Sequence, residues 1–131
     1  SAPAIAQECD SLVNVCYKYL TLDPHKTGKH FISDGQVYQA FVDAEQSAEF
    51  KVTFYGGSTY RIATTAGLKD DYVIFTVYDQ ERTPLFSNED FKNAPYWDFE
   101  IENTLDCYVE AKLDIDKKVS GCLVVLIGFS K

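Results

Sequence analysis

The chain has 131 residues, 46% of them hydrophobic and 15% aromatic, and carries a formal net charge of −8. That length and apolar share suit one folded domain over residues 1–131 and argue against a disordered chain. The acidity argues against nucleic-acid binding and against anionic membrane surfaces, both of which rely on Lys and Arg; it leaves solubility, a cation site or a basic partner as its uses.

The opening Ser1-Ala2-Pro3-Ala4 has no signal-peptide core and fits either a cloning remnant or the start of a mature chain. Ile5, Cys9, Leu12, Val13, Cys16 and Leu20 then recur at helical spacing, while Gln7, Glu8, Asp10, Asn14 and Lys18 fall off that face. Pro3 suits a first helical turn, and Asp23-Pro24 stops the run. One short amphipathic helix within residues 1–22, packed on a sheet, is the expected result.

After Pro24 the apolar period changes to two. Residues 29–33 form a short strand candidate, closed by the turn signal Ser33-Asp34-Gly35, and Val37 to Val42 follows. Phe50, Val52 and Phe54 alternate with Lys51, Thr53 and Tyr55, and Gly56-Gly57-Ser58 turns the chain into Thr59 to Thr64. Beyond the loop Gly67 to Asp71, the stretch Tyr72 to Tyr78 is apolar on both faces, which predicts a central strand. The polar turn Asp79-Gln80-Glu81-Arg82 precedes Pro84-Leu85-Phe86, and residues 87–95 read as a polar loop. Trp97, Phe99 and Ile101 alternate with Asp98, Glu100 and Glu102; Cys107, Val109 and Ala111 alternate with Tyr108, Glu110 and Lys112. A turn at Asp114 to Lys118 leads into Val119 to Phe129, a second apolar and central candidate. Eight or nine short strands predict an all-β fold, an antiparallel jelly-roll-like sandwich over residues 29–131 behind the helix. No apolar run is long enough to span a bilayer as a helix, so membrane insertion is not expected.

Four cysteines, Cys9, Cys16, Cys107 and Cys122, permit disulfides without requiring them. Within one helix Cys9 and Cys16 would stand roughly 10 Å apart, beyond the reach of a bridge. The open readings are four buried thiols, two bridges from the helix to the later strands, or a lone Cys107–Cys122 bridge. Neither spacing fits a zinc site.

No motif for a catalytic triad, a zinc protease or a phosphate-cradling loop occurs. His25 and His30 flank a Lys-Thr-Gly-Lys turn and read as exposed loop residues. No catalytic residue and no cofactor is expected, with two alternatives. Asp98 and Glu100 share one strand face roughly 6–7 Å apart, a spacing compatible with a hydrolase. Calcium would need oxygens converging from loops, for which Asp70, Asp71, the stretch Asn88-Glu89-Asp90, Asp114 and Asp116 are the candidates. Tyr72, Tyr78, Tyr96 and Tyr108, with Tyr55, are candidates for an aromatic surface that binds protein or carbohydrate.

From Ala48 onward, the segment Phe50-Lys51-Val52-Thr53-Phe54-Tyr55-Gly56-Gly57-Ser58-Thr59-Tyr60-Arg61-Ile62, then Phe75-Thr76-Val77-Tyr78-Asp79, Leu85-Phe86, Trp97-Asp98-Phe99, Asp106-Cys107-Tyr108-Val109 and Gly121-Cys122-Leu123-Val124, resembles the bacterial pre-peptidase C-terminal type of domain. The resemblance implies a non-catalytic binding or accessory module, secreted or periplasmic. A calcium-dependent carbohydrate-binding module is the expected alternative.

Overall fold

A computed structural model describes residues 4–67 and 69–130, with side chains described from residue 9 onward; Pro3 and the side chains of Ile5, Gln7 and Glu8 lie outside the described residues. Helix α1 (Ala4–Thr21) is followed by strands β1 (Ile32–Asp43), β2 (Ala48–Phe54), β3 (Ser58–Thr65), β4 (Val73–Tyr78), β5 (Pro84–Ser87), β6 (Tyr96–Ile101), β7 (Leu105–Leu113) and β8 (Ser120–Ser130). A short 3-10 helix, Asn88–Phe91, sits between β5 and β6.

The strands form two antiparallel sheets, ordered β1-β8-β3-β6 and β2-β7-β4-β5. This is the expected β-sandwich with one amphipathic helix. Pairing runs inward from the ends of the chain: β1 with β8, β2 with β7, β3 with β6 and β4 with β5. Both strands expected to be central are so, β4 between β7 and β5 and β8 between β1 and β3. The turn at Gly56-Gly57-Ser58 joins strands of different sheets, so it is a crossover and not a hairpin.

Alternation packs Val52, Phe54, Ile62, Phe75 and Val109 into the space between the sheets, where Leu123, Val125 and Ile127 supply the share of β8. The intervening residues Cys122, Val124 and Leu126 face the other way and are buried under α1 with Cys9, Leu12, Cys16 and Leu20. Strand β8 is therefore covered on both sides, which is why its sequence is a continuous apolar run. Gly128 lets the helix end settle on the sheet. A Cβ there would stand 2.8 Å from Leu20 Cδ1 and 3.0 Å from the Ile32 carbonyl oxygen.

One disulfide is present among the described residues, Cys9–Cys122, with Cα atoms 5.5 Å apart. The Cys107–Cys122 bridge considered from sequence is corrected by this pairing. Cys107 points into the core between the sheets and Cys122 points out of it toward the helix, so the two side chains belong to different layers. Cys16 and Cys107 are free and buried.

Candidate functional site

The expected break between two strands at Ser33-Asp34-Gly35 is instead a bulge inside one continuous strand. Register with β8 runs from Ser33 opposite Gly128 to Val37 opposite Leu126, so β1 carries extra residues there. The Gly35 N–H donates to Ser33 Oγ at 3.1 Å, and the Gln36 N–H donates to Asp34 Oδ1 at 2.9 Å. Gly35 has φ of +87°, which favours glycine.

The bulge brings Asp34 to a cleft of about 500 Å³ between β1 and β2, at the free edges of the two sheets. Tyr38, Tyr55, Tyr60 and Phe129 also line it, together with Lys51. The aromatic wall is held from behind. The Tyr55 N–H donates to the Tyr60 hydroxyl oxygen at 3.0 Å, and the Tyr38 ring lies 4.7 Å from that of Phe50. Tyr60 packs edge-on to Phe54 at 4.9 Å. Partial burial pushes the Asp34 carboxyl above its ordinary value, against the opposing pull of the Gln36 N–H. Burial and the nearby Asp34 charge push the Tyr38 hydroxyl up as well. No described Lys, Arg or His forms an ion pair with Asp34.

A second cleft, about 520 Å³, lies beyond the end of α1 and includes His25, Lys29, Phe31, Tyr96 and Trp97. Its buried cation, Arg61, is fully engaged. Nε and Nη2 donate to the two Asp98 carboxylate oxygens at 2.6 and 3.0 Å. Nη1 donates to the carbonyls of Tyr19, Leu20 and Leu22, at the C-terminal end of α1. The guanidinium lies against the rings of Phe31 and Tyr96, at 4.2 and 4.5 Å. This arrangement closes the helix end onto the sheet, and it occupies the Asp98 carboxylate that the hydrolase alternative would need.

The tyrosine candidates do not form one surface. Tyr78 and Tyr108 are register partners in the second sheet, with Arg82 over the Tyr108 ring at 4.2 Å. Tyr96 packs under α1 on the other side of the sandwich, and Tyr72 lies beside Lys118. Of the acidic candidates, Asp71 and Asp114 are brought together, but around Lys117: its Nζ is 2.8 Å from Asp71 Oδ2 and 4.0 Å from Asp114 Oδ2. Lys117 holds the Asp71 carboxyl below its ordinary value. Asn93 Nδ2 donates to Asp114 Oδ2 at 2.8 Å, and Asp116 donates its N–H to Asp114 Oδ1 at 3.1 Å. The Asp70 charge acts instead on Tyr19, whose hydroxyl it helps burial to push up. Glu89 and Asp90 are exposed, while Asn88 is buried. Among the described residues no group of three His, Cys, Asp or Glu side chains could hold a metal ion. His25 and His30 are exposed.

No protein-family model matches the chain, and no match is found among curated proteins. Among solved structures the chain is similar to that of PliG from Aeromonas hydrophila, a periplasmic lysozyme inhibitor of g-type lysozyme, with a TM-score of 0.54 and 8% identity over 82% of this chain and 92% of that one. Shared by the two proteins is the fold.

Proposed function

We propose that the protein is a non-catalytic, extracytoplasmic module that binds a basic protein partner through the edge of the sandwich formed by β1 and β2. The observation that carries this reading is the aromatic-walled cleft with a half-buried carboxylate that no described cation neutralises. In a molecule of net charge −8 such a cleft favours a positively charged surface. The Cys9–Cys122 disulfide supports an oxidising compartment outside the cytoplasm. The pairing of early strands with late ones supports the jelly-roll-like winding.

The partner of the similar structure, g-type lysozyme, is the first protein to test. Calorimetric titration should show binding that weakens as salt is raised, and added protein should slow lysozyme's lysis of peptidoglycan. No heat at micromolar concentrations together with unchanged lysis would remove the lysozyme-inhibitor form of the reading.

A further inference from the structure

Resting on that reading, we propose that the β1–β2 cleft is a receptor for one guanidinium side chain of the partner, an arginine inserted between the tyrosine rings with its charge on Asp34. Three features of the cleft converge on this chemistry.

The first is shape. A cleft walled by Tyr38, Tyr55, Tyr60 and Phe129 presents aromatic surface to a flat group. A guanidinium is planar, weakly hydrated and stacks on aromatic rings, which a compact ammonium does less well. The same chain already holds a guanidinium in this way: Arg61 lies against two rings and on a carboxylate. The edge cleft repeats those elements, rings and a carboxylate, without a guanidinium of its own.

The second is charge. Asp34 receives one backbone hydrogen bond, from Gln36, and no described cation pairs with it. Its second carboxylate oxygen remains available to a donor, so an arriving guanidinium can add a charge-assisted bond. Lys51 also borders the cleft, and Tyr38, Tyr55 and Tyr60 are the other titratable residues that line it with Asp34. A partner carboxylate beside the inserted arginine would find Lys51 within the same cleft.

The third is position. Both β1 and β2 are edge strands of their sheets, and among the described residues no further strand pairs with their outer edges. Tyr55 is 63% exposed, which marks the cleft mouth as open to a second molecule.

N-acetylarginine N-methylamide is the probe, followed by amide chemical shifts of the intact protein. Saturable shifts confined to residues 34–38 and 55–60 are expected, with affinity in the millimolar range. Asp34→Asn should weaken binding by at least about tenfold. Glu45→Gln, the same charge change just beyond the opposite end of β1, should leave it unchanged, and the uncharged citrulline analogue should not bind. Equal binding by Asp34→Asn, equal binding of citrulline, or shifts centred elsewhere would overturn the proposal. Absence of probe binding with lysozyme binding retained overturns the receptor and leaves the protein-binding reading; probe binding with no protein partner supports the receptor and removes that reading.

Discussion

Arg61 sits where the end of α1, strand β6 and the segment that follows the helix meet, and it is only 4% exposed. Removing it would take from Asp98 and from the carbonyls of Tyr19, Leu20 and Leu22 the guanidinium that donates to them, so Arg61→Met is expected to lower stability by about 3–5 kcal/mol in denaturant unfolding. Arg61→Lys should recover little of this, since a lysine cannot bridge a carboxylate and three carbonyls while packing against two rings. Asp34 is the opposite case. Its carboxyl is held above the ordinary value, so the folded protein binds that proton more tightly than the unfolded chain does. The group's penalty is absent below the unfolded value of 3.8 and develops as pH rises through the folded one. Asp34→Asn keeps an acceptor for the Gln36 N–H and loses the penalty. Its melting temperature should rise slightly at pH 7 and change little near pH 3, as scanning calorimetry would show. A residue whose removal stabilises the fold and weakens binding would be one kept for contact with something else. Neither role was legible in the sequence. Arg61 occupies the polar half of an alternating strand, which normally means solvent, and the helix lying over that face buries it. Asp34 carries the composition of a turn, and the chain alone does not reveal that the ladder continues past it.

At the scale of elements, α1 was legible because its apolar stripe is unbroken, and Cys9 and Cys16 lie on that stripe. Which cysteine would find which partner was not legible, since spacing reports the face of an element and not the neighbour across it. Burial pushes the Cys16 thiol up to about 12 and the Cys107 thiol up to about 11, so both are protected and unreactive near neutral pH. Ellman's reagent should find no thiol in the native protein, two after denaturation alone, and four after denaturation with reduction. The disulfide spans a sequence separation of 113 residues, and a loop of that size constrains the unfolded chain strongly. Replacing Cys9 and Cys122 together by alanine is expected to cost about 2–5 kcal/mol, with amide exchange rising first in α1. Asn88 lies in a stretch whose polar composition reads as loop, yet it is fully buried. Its side chain accepts from the Phe75 N–H at 2.8 Å and donates to the Val73 and Ala94 carbonyls at 2.9 and 3.0 Å, tying the loop to β4. Asn88→Ala should cost about 1–3 kcal/mol, measured by urea unfolding.

For the whole molecule, alternation from β1 to β8 was enough to place the two sheets and their shared interior, because period two decides which side chains turn inward. Strand order was not decided by it. Hydrogen-bonding edges carry no side-chain signature, so the chain does not announce that β8 threads between β1 and β3. Yet that threading governs how the protein comes into being. The strand at the centre of one sheet is the last of the eight to leave the ribosome, and residue 9 waits for residue 122 before its covalent partner exists. A nascent chain emerging N-terminus first can assemble neither the sheet nor the crosslink early, and its dominant contacts are distant in sequence, a topology that folds slowly. Such a chain stays pliable while it is being made, and its central strand and its crosslink close only once synthesis is nearly complete.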